Sequence, residues 1–122
     1  MTRDGQIPKS DPKTVLVIDD DESLRRVVEY NLREEGYEAL GFETLENAES
    51  EASGAAVLIF DTTDAQPGDW QPVLQRLATQ LPVVIVAGAP EEVNVPGAKL
   101  LRRPLSLGDI VAVVRELASA GP

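Results

Sequence analysis

The chain has 122 residues, 43% apolar and 26% charged, which is the composition of one globular domain with enough material for a core. A formal net charge of −10, from 21 acidic and 11 basic residues, excludes the basic surface that grips nucleic acid or an anionic membrane. With neither Cys nor His, disulfides, thiolate metal sites, Ser-His-Asp catalysis and His-ligated zinc are excluded, and any metal must be held by oxygen, as Mg²⁺, Mn²⁺ and Ca²⁺ are.

Residues 1–13 are polar, carry Pro8 and Pro12, and lack the apolar core of a signal peptide, so they read as a disordered N-terminal tail. No stretch is apolar for long enough to span a bilayer, and a cytoplasmic location is the expectation. Thr14–Ile18 is an unbroken apolar run, the mark of a strand buried on both faces. A helix follows from near Asp21, whose oxygens suit its N-terminus, with Leu24, Val27, Val28 and Leu32 as the inner stripe and Gly36 as the stop. A second strand is expected over about Glu38–Phe42, then a short helix from Leu45 to Ala52 ending at Gly54.

Ala56–Phe60 is the third strand, and Asp61 to Gly68 is a polar loop. Trp70, Val73, Leu74, Leu77 and Leu81 set the period of the third helix, with Trp70 as a packing residue. Pro82–Ala87 and Ala98–Arg102 are the fourth and fifth strands. Between them, Gly88 to Gly97 leaves room for one helical turn near Glu91–Val93, whereas a parallel crossover takes a dozen or more residues. The fourth helix is therefore expected to be missing or vestigial. The last helix opens at Ser106 with Asp109 three residues on, and its inner stripe is Leu107, Ile110, Val111, Val114 and Leu117, with Val113 off the stripe as a weak contact candidate. Residues 119–122 read as a tail or linker stub, leaving 14–118 as the domain. Alternating strands and helices imply a doubly wound α/β domain with a parallel sheet covered on both faces.

The chemistry concentrates where strands end. The first strand delivers Asp19-Asp20-Asp21-Glu22 and the third delivers Asp61. In open parallel sheets, ligands bind beyond the C-terminal strand ends at the switch point in strand order. If the first and third strands are neighbours, Asp19, Asp20 and Asp61 converge there. Such a cluster repels itself, suits a divalent cation, and makes Asp61 a candidate nucleophile for an acyl phosphate. The plainer reading, that acids only cap strands and a helix, suits Asp21 and Glu22. Alternation puts Arg102 and Arg103 on opposite faces of the last strand, with Arg103 toward the acids and Arg102 toward solvent.

Val15–Asp21, Leu58–Asp61, Pro82–Ala87 and Arg103-Pro104-Leu105, in that order and spacing, resemble the receiver domain of bacterial two-component response regulators. The resemblance runs from Thr14 to Leu117. It implies a flavodoxin-like five-stranded sheet of order 2-1-3-4-5 that accepts a phosphoryl group from a sensor histidine kinase. It also implies that Asp19 and Asp20 are the Mg²⁺-binding pair, that Asp61 is the phospho-acceptor, and that Thr63 offers its backbone carbonyl to the metal. Such a domain is not an enzyme in the usual sense, and it works with an output domain or protein partner. The chain departs from the family pattern at several positions. Ala87 stands where Ser or Thr is usual, Arg103 where Lys is usual, Leu100 where an aromatic switch residue is frequent, and the Gly88–Gly97 connection is short. Arg103 keeps the charge and binds phosphate as a fork. These departures support an alternative, a phosphorylation-independent pseudo-receiver that acts as a protein-interaction module. A third reading is a phosphatase of the haloacid-dehalogenase type, whose strand-then-Asp-x-Asp opening Asp19-Asp20-Asp21 also fits, although the chain is short for its later motifs and cap.

Overall fold

Three uninterrupted apolar runs form the middle of a five-stranded parallel sheet. The computed structural model describes residues 13–62 and 67–119. Its elements are β1 (Thr14–Ile18), α1 (Glu22–Glu34), β2 (Glu38–Phe42), α2 (Leu45–Glu49), β3 (Val57–Asp61), α3 (Pro67–Leu77), β4 (Val83–Ala87), β5 (Lys99–Arg102) and α4 (Leu107–Ser119). The sheet order is β2-β1-β3-β4-β5, and every pairing is parallel. The expected tail at 1–13 lies, except for Lys13, outside the described residues, and the C-terminal stub does so beyond Ser119.

Sequence patterning sets these boundaries locally. Asp21 caps α1 by accepting from the Leu24 N–H at 3.1 Å, and Gly36 ends it with φ of +97°, a conformation that costs Gly little. Ser106 and Asp109 form a reciprocal capping box on α4, with bonds of 3.0 and 3.1 Å. The short helix α2 stops at Glu49, earlier than its expected end, and a separate 3-10 turn covers Ala52–Gly54. Ser50, Ser53 and Gly54 are poor helix formers, so the helix does not propagate through them. In place of a fourth crossover helix there is a single 3-10 turn at Pro90–Glu92.

Two apolar layers flank the sheet. Leu16, Leu58 and Ile85 are fully buried on the α2–α3 side, and Val15, Val57 and Val84 on the α1–α4 side. Burial of this kind is worth about 1.5–3 kcal/mol per large side chain. Trp70 is buried as expected and packs on Phe60 with ring centroids 5.2 Å apart.

Two stripe assignments are corrected. Leu24 and Val27 are 42% and 44% exposed, because only the later half of the α1 stripe, Val28 and Leu32, reaches the sheet. Val113 is buried, not a contact residue. The face of α4 that meets the sheet is centred on Ile110, Val113, Val114 and Ala118, leaving Leu107, Val111 and Leu117 half-buried beside it.

Charge covers the edge strand β2. Arg25, Glu29 and Arg33 stand one turn apart on α1, with ion pairs of 3.6 and 3.3 Å, and Glu29 lies against Gly41 where any Cβ would collide with it. At the opposite edge, β5 exposes Lys99 and Arg102.

Candidate functional site

Register brings the acids together. Ile18 pairs with Phe60, so the next residues, Asp19 and Asp61, leave adjacent strands at the same end of the sheet. Asp20 follows on the exposed turn into α1. Asp19, Asp20 and Asp61 line one pocket of about 340 Å³, with Trp70 and Phe60 among its apolar walls. The C-terminal strand ends meet there, as expected for a ligand site in an open parallel sheet.

Asp19 is the buried member, with 4% of its surface exposed. Burial pushes its carboxyl up to about 6, and the nearby Asp61, Asp20 and Asp21 add to the shift, against the Asp21 N–H bond to Oδ1 at 2.9 Å. Its backbone is also held, since the Asp19 N–H donates to Phe42 O at 3.0 Å and Arg25 Nη1 donates to Asp19 O at 2.7 Å. The Arg25 contact is one that sequence reading missed. Its signal would have been a cation six residues past the acid on the first helix, but many side chains share such a spacing.

Arg103 follows β5 and reaches back across the sheet end. Its Nη1 lies 2.5 Å from Asp61 Oδ1, and the two side chains are 30% and 11% exposed. The same guanidinium approaches Val86 O and Thr62 Oγ1, each at 3.4 Å. Arg102 points the other way and binds Glu91 Oε1 at 2.6 Å and Gly88 O at 3.0 Å. On the α1–α4 side of Asp61 and Arg103 lies a second groove of about 350 Å³, walled by Leu24, Val27, Leu105 and Leu107.

A divalent cation suits this donor set. Every candidate ligand is oxygen, and buried Asp19, whose carboxyl is raised chiefly by burial and further by the neighbouring acids, is a group that a cation would compensate. Among the described residues no three acidic side chains stand together as a group that could hold a metal ion, so Asp19, Asp20 and Asp61 line the same pocket without forming a three-carboxylate cage. Mg²⁺ does not need one, because it keeps several waters and takes one or two carboxylates. Thr63, whose carbonyl the resemblance assigns to the metal, lies outside the described residues.

The β4–β5 flank differs. Ala87 ends β4 with a buried methyl. Leu100 pairs with Ile85 and is 36% exposed, on the side of the sheet where no full helix follows β4. The segment replacing that helix is tied to α3. The Asn94 N–H donates to Gln71 Oε1, Gln75 Nε2 donates to Asn94 O, both at 2.7 Å, and Val95 is buried beneath.

Solved structures share this architecture. A response regulator receiver domain protein from Clostridium thermocellum is 19% identical, with a TM-score of 0.73 over 88% of this chain and 95% of that one. An orphan response regulator of H. pylori is 19% identical, with a TM-score of 0.74 over 90% of this chain and 99% of that one. A Francisella response regulator receiver domain is 21% identical, with a TM-score of 0.74 over 88% of this chain and 98% of that one. No family model and no curated protein matches the chain. The fold is that of receiver domains, and at these identities the likeness is one of fold.

Proposed function

We propose that the chain is a signal-receiver domain that accepts a phosphoryl group on Asp61 from a sensor histidine kinase. One observation carries this reading. The Asp61 carboxylate stands at the C-terminal mouth of the sheet beside buried Asp19, with the Arg103 guanidinium 2.5 Å away. An Asp61 oxygen attacks phosphorus, the bond to the donor nitrogen breaks, and the leaving group departs with that electron pair. Arg103 presents a fork of donors to the phosphoryl oxygens in place of a Lys. Asp19, Asp20, Asp61 and the Thr63 carbonyl would hold Mg²⁺, which when bound supplies countercharge to those oxygens. The domain belongs to the cytoplasm, is no enzyme in the usual sense, and hands its state to an output domain or protein partner.

A second reading is a phosphorylation-independent interaction module. Ala87, exposed Leu100 and the segment tied to α3 favour it. Incubation with a small phosphodonor and Mg²⁺, followed by intact mass measurement, separates the two. The expected result is one added phosphoryl group, absent from Asp61→Asn. No addition to the wild-type chain would leave the module reading.

A further inference from the structure

A crowded carbonyl sits beside the proposed acceptor. Val86 O is approached by the Thr62 N–H at 3.1 Å, by Thr62 Oγ1 at 3.1 Å and by Arg103 Nη1 at 3.4 Å. A carbonyl oxygen offers two lone pairs, so three donors leave one in excess. The Thr62 N–H continues the pairing of β3 with β4 and stays in place. The surplus therefore falls on the Thr62 hydroxyl and Arg103. These two also touch each other, because Arg103 Nη2 lies 3.4 Å from Thr62 Oγ1 while Nη1 holds Asp61 Oδ1. One guanidinium thus spans the Asp61 carboxylate and the Thr62 hydroxyl. Ala87, the next residue of β4, has only a methyl to offer.

We infer that Thr62 is a phosphoryl-binding residue. The inference rests on the reading of Asp61 as acceptor. When the Oδ–P bond forms and the donor bond breaks, the mouth gains anionic oxygens that need donors. The Thr62 hydroxyl turns from Val86 O to one of them, while the Thr62 N–H keeps that carbonyl satisfied. Arg103 binds the other oxygens. No redox partner is required, and the hydroxyl keeps its proton throughout.

The test compares the wild-type chain with Thr62→Val, Thr62→Ser and Thr62→Ala, using acetyl phosphate with Mg²⁺ present. Readouts are the rate of phosphoryl addition by intact mass and the phosphorus NMR resonance of the acyl phosphate. A hydrogen bond to a charged group is strong enough that T62V should be modified about tenfold more slowly. Its resonance should move, T62A should behave like T62V, and T62S should restore both rate and resonance. The Ala variant guards against a fold defect peculiar to Val. Wild-type modification with unchanged T62V kinetics and resonance overturns the role of Thr62 and leaves the Asp61 reading standing. So does a T62S chain that behaves like T62V, because packing and not the hydroxyl then matters. A wild-type chain that takes no phosphoryl group overturns both.

Discussion

Two flanks of one sheet carry different inventories. At the mouth between β1 and β3, acids are concentrated, one of them is buried, and Arg103 is drawn in from beyond β5 to face Asp61. Along β4 and β5, the corresponding positions hold the Ala87 methyl, the exposed Leu100 and a segment tied to α3 through Gln71 and Gln75. On the proposed reading, the side chains that would accept a phosphoryl group and those that would relay its arrival sit on separate strands. One set can be altered without the other. A single bond to a charged group is worth about 1.5–3 kcal/mol, as large as a typical allosteric coupling of about 1–3 kcal/mol. If the proposed phosphorylation relied on a hydroxyl at that position, the Ala87 methyl would forfeit a bond of that size.

The sharpest way to break this contrast is to remove Arg103. Arg103→Ala leaves a largely buried Asp61 without the countercharge 2.5 Å away, and the expected loss is about 2 kcal/mol in urea unfolding, below the range for fully buried pairs because Arg103 is part-exposed. A loss no larger than that of a surface pair would remove the distinction between the two flanks.

The other flank should respond more weakly. Gln71→Ala frees the Asn94 N–H, and a cost of about 1 kcal/mol is expected, with faster amide exchange confined to the segment around Asn94. Exchange spreading into β3 would mean that the flanks are coupled after all.

Protonation sharpens the picture of the mouth. The folded Asp19 carboxyl lies at about 6, above its ordinary 3.8, so the folded chain holds more protons than the unfolded chain in that window. Its contribution to stability is largest at low pH and falls as pH rises from 3.8 to about 6. Asp19→Asn keeps an acceptor for the Asp21 N–H and should flatten this part of a metal-free melting profile. A slope unchanged in the variant would assign the effect to other groups. The smallest effect is expected for Arg102→Ala. Its pair with Glu91 is exposed, and thermal melting should show a midpoint indistinguishable from that of the wild-type chain.

Much of this was legible from patterning. Apolar runs located β1, β3 and β4, Ser106 and Asp109 marked the start of α4, and the short Gly88–Gly97 stretch foretold a single turn where a helix would stand. Alternation also separated Arg102 from Arg103. What failed was helix rotation. A stripe of apolar residues at helical spacing is broad, and which part faces the sheet depends on neighbours that sequence does not locate, hence the exposed Leu24 and Val27 and the buried Val113. Thr62 was overlooked for a related reason. Its neighbours Val86 and Arg103 are far along the chain and meet it only through strand pairing.

The Arg25–Glu29–Arg33 ladder over Gly41 has a consequence for how this molecule meets its own kind. An open sheet has two unpaired margins, and each invites another chain to add a strand. Here Arg33 donates to Ala39 O at 2.7 Å on one margin and the other displays Lys99 and Arg102, so lateral growth would desolvate charge at both ends. The bare backbone position at Gly41 leaves the room in which Glu29 joins Arg25 and Arg33.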